Sequence, residues 1–283
     1  MGSVEASPDL GTLRLRPGVP VLRRDPLTLQ VGLRLPLAVQ LPDRASVRAL
    51  LDALAARHDP GPLDDDARHA LARLAAADLL VDDAAGAAAD SDLMLFGSDA
   101  PRRRTARAAG TVGLTAEPTA ADGLGDLLAE AGLRLDDRDP AVHLVVTAGP
   151  ARRGLVDPLL RAGLPHLLVS GTGATRRVGP FVDPGRTACV RCVDAHESET
   201  DPRLPLLIEQ AAHPHSPIAP VDPLTSRLAL TWAVRDLTRY LEGDEPSTWS
   251  TTVDIAPTAA PTVTRWLRHP DCGCAWDLLM HLP

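Results

Sequence analysis

Two close pairs of cysteines constrain this chain more than any other feature. Cys189 and Cys192 stand as C-V-R-C, and Cys272 and Cys274 stand far downstream as C-G-C. Thiol pairs separated in this way can converge on one tetrahedral zinc ion, each sulfur about 2.3 Å from the metal. Such an ion would staple residues 189–192 to residues 272–274. Four thiolates close the site, whereas a catalytic zinc keeps one position for water. The expected ion is therefore a structural Zn2+, and no thiol is left as a nucleophile. Two disulfides are the alternative reading. A lone C-x2-C also occurs in thioredoxin-like redox motifs, but with a following helix and no second pair. His196 and His269 lie near the two pairs in sequence and could replace a thiolate, although surface or outer-layer roles are the plainer expectation.

Composition removes several functions. All 29 basic residues are arginine, because the sequence holds no lysine. No lysine can clamp a phosphate, form a Schiff base or serve as a buried base. The formal charge of -8 gives nucleic acid no general attraction. No apolar run is long enough for a membrane span, and the polar start MGSVEASPDLG lacks the apolar core of a signal peptide. Clustered rather than scattered thiols fit a reducing cytoplasm. A chain of 283 residues can bury a sizeable core and is expected to form two domains.

Residues 1–88 read as a small α+β domain. Val21–Arg23, Leu29–Leu33 and Leu37–Leu41 read as strands, the last two as a hairpin around Gly32 and Pro36. Val47, Leu50, Leu51 and Leu54 share one face of a helix opened by Pro42-Asp43-Arg44. Asp64, Asp65 and Asp66 favour the positive end of a second helix, and Leu79–Val81 closes the unit as a strand. Ala84–Asp90 reads as a linker.

Residues 89–283 read as an α/β domain. Leu93–Phe96 is a short strand candidate, followed by a helix over 101–109. Thr111–Leu114, Val142–Val146 and Leu167–Val169 are strands, with helices over 122–131 and around Leu155–Leu160. This alternation points to a mostly parallel sheet. Asp194–Pro205 reads as an acidic, proline-bearing segment and His213–Pro217 as a loop. Pro223–Leu241 is the longest helix, either central to the core or at a subunit interface, which leaves a homodimer open. Thr248–Ile255 and Thr262–Leu267 fit a hairpin at the sheet edge.

A parallel sheet raises the question of a nucleotide. After a first strand ending at Phe96, the run Gly97-Ser98-Asp99-Ala100-Pro101 lacks the G-x-G-x-x-G pattern. Asp99 would put a carboxylate where a phosphate should approach. No phosphate-binding loop with G-K-[ST] occurs, and Gly171-Thr172-Gly173 reads as a turn. The expectation is a Rossmann-type domain without nucleotide.

The run VGPFVDPGRTACVRCVDAHESETDP resembles the zinc-proximal signature of the E1-like (ThiF-like) partner proteins of YcaO cyclodehydratases in azole and azoline peptide biosynthesis. The matching pieces are Val178-Gly179-Pro180, Pro184-Gly185-Arg186, Cys189 to Cys192 and Asp201-Pro202, together with Gly163–Leu167 upstream. The resemblance covers residues 90–283. At the N-terminus, RPGVPVLRRDPLTLQVG and the hairpin are similar to a winged-helix-like peptide clamp.

The resemblance implies a non-catalytic partner that binds the leader of a ribosomal precursor peptide, as in thiopeptide pathways, and presents it to a separate ATP-dependent YcaO enzyme. No YcaO domain follows the E1-like region, so that enzyme is expected in trans. The leader-binding strand and helix of the family fall on Leu37, Val39, Leu41, Leu71 and Leu74, each of which also suits the domain core. Two other readings stay open. One is an ATP-dependent E1-like peptide-adenylating enzyme, supported by Arg102, Arg103 and Arg104, since arginine can hold phosphate. The other is a zinc-stapled interaction module.

Overall fold

The computed structural model describes residues 12–82, 90–213, 220 and 222–275. The expected linker over 84–89 and most of the His213–Pro217 loop lie outside the described residues. The chain divides into two compact units, Met1–Thr105 and Ala106–Pro283.

In the first unit, β1 (Leu13–Leu15) is followed by β2 (Val21–Asp25), β3 (Thr28–Val31) and β4 (Val39–Pro42), then α1 (Ala45–Ala56), α2 (Asp65–Ala76) and β5 (Leu80–Asp82). Strands β2, β3 and β4 form an antiparallel sheet in that order, so among the described residues β4 is an edge strand. β1 pairs with β5. The apolar faces read from the sequence meet here: Val47, Leu50, Leu51 and Leu54 of α1 pack with Leu74 of α2 and with Val31 and Leu41 of the sheet. Asp64 caps α2 by accepting a hydrogen bond from Ala67 N at 2.8 Å, as expected of a carboxylate at a helix start.

Residues 93–96 depart from expectation. They form α3 (Asp90–Phe96), not a strand, and α4 (Ala100–Ala109) follows. A four-residue apolar run does not by itself distinguish the two states. Only Leu93 of the four is buried, and Asp90 and Asp92 lie in the first helical turn. Between the helices, Asp99 binds Arg102 Nε at 2.6 Å and Arg103 Nε at 2.7 Å. These hydrogen bonds, Arg102 first, hold the Asp99 carboxyl down to about 2. Arg102 and Arg103 thus neutralise a neighbouring acid and are not a free phosphate clamp.

The second unit holds β6 (Thr111–Ala116), α5 (Leu124–Glu130), β7 (Arg134–Leu135), β8 (Val142–Val146), α6 (Arg153–Arg161), β9 (His166–Thr172) and β10 (Thr175–Val182). It continues with α7 (Val190–Thr200), α8 (Leu204–Ala211), α9 (Pro223–Leu241), β11 (Thr251–Ile255) and β12 (Thr262–Arg265). Its sheet runs β12-β11-β10-β9-β8-β6-β7. The β7-β6-β8-β9 portion is parallel and the rest antiparallel. Strand residues alternate between two cores. Leu144, Val146, Leu167 and Val169 face α5 and α9, whereas Val145 and Leu168 face α6 and α7. α9 belongs to the core, with Ala229, Leu230, Ala233, Val234 and Leu237 buried. Among the described residues no helix is long and apolar enough to cross a membrane.

Candidate nucleotide crevice and thiol centre

The thiol centre is built by one turn and one helix start. Gly185, at φ +83, closes the turn that follows β10, a conformation that suits glycine. Thr187 Oγ1 stands 2.8 Å from Asp183 N and fixes that turn. Cys189 is the extended residue before α7, and Cys192 N donates to Cys189 O at 2.9 Å, which sets both side chains on one side of the first helical turn. Cys272 and Cys274 come in from the segment after β12. The Sγ atoms lie 3.8 Å apart for Cys189–Cys192, 3.5 Å for Cys189–Cys272, 3.5 Å for Cys189–Cys274 and 3.2 Å for Cys192–Cys274.

Sulfurs on a tetrahedral zinc at about 2.3 Å are separated by roughly 3.8 Å, so the four thiols fit one such ion after small inward or outward shifts. All four cysteines are free. The one-residue spacing of C-G-C does not keep its two thiols apart from the other pair. Hydrogen bonds among the sulfurs, Cys192 first, push the Cys189 thiol up. Cys192, accepting first from Cys189, is pushed down.

The second feature is where the strand order reverses. β6 connects through α5 to β7 on one side, and the chain then crosses to β8 on the other side of β6. Open α/β sheets bind ligands outside the carboxyl ends of the strands at such a point. The first strand of this sheet is β6, so the crevice lies between the loop after Ala116 and the loop after Val146. It is not at Gly97–Pro101, which lies between two helices and follows no strand of this sheet.

The two loops are tied together. Glu117 N donates to Val146 O at 2.9 Å, and the Glu117 carboxylate accepts from Ala148 N at 2.8 Å. Arg176, on β10, reaches this end of the sheet. Its Nη1 donates to the carbonyls of Thr147 and Ala148 at 2.8 and 2.9 Å. Gly171 makes room for it: a Cβ there would stand 2.0 Å from the Ala148 carbonyl oxygen and 2.7 Å from Arg176 Nη1. Arg176 is 3% exposed, yet its Nε and Nη2 have no hydrogen-bond partner. Burial pushes the guanidinium down from its usual value, while the charge of Glu117 raises it. Two orphaned donors on a buried cation are costly, and a phosphate oxygen would satisfy them. The residues at the carboxyl ends therefore fit an anion held by arginine. They do so without lysine, and the loop Glu117-Pro118-Thr119-Ala120-Ala121-Asp122-Gly123 is not glycine-rich.

The expected peptide-groove residues are grouped in the first unit. Val39, Leu41 and Leu74 are buried in its core, and Leu37 and Leu71 pack against that core. What β4 turns outward is Gln40.

No family profile and no curated protein matches the sequence. Solved structures do. The heterocyclase TruD matches with a TM-score of 0.73 and 18% identity over 93% of this chain and 42% of TruD. A heterocyclase in complex with substrate and cofactor matches with a TM-score of 0.73 and 16% identity over 93% of this chain and 39% of that one.

E. coli MccB with ATP matches with a TM-score of 0.63 and 10% identity over 93% of this chain and 99% of MccB. The chain has an α/β Rossmann-type fold, shared with these solved structures. It spans about two-fifths of the length of the heterocyclase structures it matches.

These likenesses correct three expectations. The fold is shared with enzymes, a heterocyclase and MccB, and not specifically with accessory partner proteins. A purely non-catalytic presenting role is overturned with it. The expected absence of a nucleotide rested on the wrong loop, and in MccB this fold is found with ATP.

Proposed function

We propose that the chain is an ATP-dependent E1-like enzyme that activates a ribosomal precursor peptide for heterocyclisation. The observation that carries this reading is Arg176, buried at the switch point with two unpartnered nitrogens. Bound there, ATP supplies a phosphoryl centre and a pyrophosphate leaving group for activating a peptide oxygen. Arg176 would balance the phosphate charge, and its bonds to the Thr147 and Ala148 carbonyls aim the guanidinium before ligand arrives, so little reorganisation is needed. Glu117 would hold the Ala148 loop in register and offers the carboxylate suited to a magnesium ion accompanying the phosphates.

The first unit serves in this reading as a winged-helix-like clamp for the leader, an extended peptide adding to the edge of β4. An edge strand offers unpaired N–H and C=O groups that such a peptide satisfies. The thiol centre holds a structural zinc. The test is pyrophosphate release from ATP by the purified full chain given a candidate precursor peptide. Release that depends on both chain and peptide is expected. No release, together with no nucleotide bound at millimolar concentration, overturns the assignment.

A further inference from the structure

Beyond the thiol centre, α7 and the C-terminal segment bring a second set of metal-ligating side chains together. Along α7, Cys189, Cys192, His196 and Glu199 follow one another at steps of three, four and three, which places them along one helix face. The segment that supplies Cys272 and Cys274 also supplies His269. His196 Nδ1 lies 3.4 Å from Glu199 Oε1, and His269 Nε2 lies 3.3 Å from the same oxygen. The three ligand atoms fall within 4.8 Å of one another.

We propose that His196, Glu199 and His269 form a second divalent-metal site, suited to zinc and open to solvent. Zinc bonds to imidazole nitrogen and carboxylate oxygen of about 2.0–2.2 Å put tetrahedral ligands roughly 3.3–3.5 Å apart, the spacing seen for both nitrogen–oxygen pairs. His196 Nε2 lies 3.1 Å from Leu267 O, which can only accept, so Nε2 carries the hydrogen. Nδ1 then faces the Glu199 carboxylate at 3.4 Å, an arrangement that a cation between them satisfies. His269 is set from behind by Asp271, whose backbone N and Oδ2 lie 3.1 and 4.0 Å from Nδ1. That amide donates to Nδ1, which leaves Nε2 as the ring atom facing Glu199. The Glu199 side chain is 64% exposed, so a fourth position faces water. Two histidines and a glutamate with one open position make a labile site, unlike the closed thiolate set beside it.

The experiment strips the full chain with chelator under reducing conditions and titrates it with Co2+, followed by zinc competition. Two equivalents are expected. One gives strong thiolate charge-transfer absorption, and the other adds weak visible bands without raising that absorption. Glu199→Gln and His196→Ala should remove the second equivalent and keep the charge-transfer band, which also reports an intact fold. A single equivalent in the unaltered chain means that a proton alone sits between His196 and Glu199, and overturns the site. So does a second equivalent that persists in both variants.

Discussion

Both hydrogen-bond donors of Thr248 end on one oxygen of Asp236. Thr248 N and Oγ1 lie 2.8 and 2.7 Å from Asp236 Oδ2, and neither residue has any exposed surface. Ser247 Oγ adds a bond of 2.9 Å to Oδ1. The pair locks the middle of α9 to the turn that starts β11. Asp236→Ala should strand several buried donors and cost about 3 kcal/mol of unfolding free energy, read from urea denaturation. Asp236→Asn keeps an acceptor for Thr248 and should cost less.

Removing one thiol should release the metal. Protein purified without added zinc is expected to carry one tightly held equivalent at the thiol centre, and Cys272→Ser should lose it. Ligand binding to the native state alone is linked to stability, so the variant should also melt lower. Cys272→Ser with undiminished tight zinc would mean that the metal is held elsewhere.

Arg176→Met replaces the buried cation with an apolar chain of similar length. Losing a charged hydrogen-bond donor to phosphate should weaken ATP binding by about 1.5–3 kcal/mol, near ten- to a hundredfold. Stability should move by only about 1 kcal/mol, because an incompletely paired buried charge is itself costly. Isothermal titration with ATP and magnesium measures the first quantity and thermal melting the second. Equal ATP affinity would remove Arg176 from the phosphate site.

His143 and His166 are cross-strand neighbours on β8 and β9. Burial pushes both imidazoles below their usual 6.5. The folded chain therefore keeps them neutral at pH values where the unfolded chain protonates them. The unfolded state binds more protons, so stability rises with pH in this range. It should be complete above about 6.5 and fall on acidification toward pH 5, as measured by urea midpoints. His166→Asn should flatten this slope. An unchanged slope would assign the acid sensitivity to other groups.

Much of this was legible because its signals were periodic or paired. Pro223–Leu241 has a proline at its first turn and apolar residues all along it, and the helix has those bounds. The cysteines needed only their spacing. Other features needed the fold. Leu93–Phe96 is too short for periodicity to decide between helix and strand. Taking it as the first strand moved the nucleotide question to the wrong loop.

Arg176 hides in Thr175-Arg176-Arg177-Val178, where strand alternation assigns one arginine to each face but cannot say which is enclosed. Arg177 turned out to be the paired one, bound to Asp254 at 2.7 Å and Glu197 at 2.8 Å. The acidic run after Cys192 read as a proline-bearing segment. The helix in fact continues to Thr200, and only that continuation places His196 and Glu199 on the cysteine face.

β12 is the outermost strand of the second unit's sheet, and the segment after it leads directly into Cys272 and Cys274. Trp266 anchors that segment, its N bonded to Ser250 O at 2.8 Å and its ring beside the thiols. The centre therefore works as a latch on an open sheet border. If the thiols are oxidised or stripped, β12 can peel away and bare β11, whose Val253 and Ile255 are otherwise enclosed. The failure to look for is self-association through exposed strand pairing, with helix content nearly intact. Light scattering would register that loss before circular dichroism does.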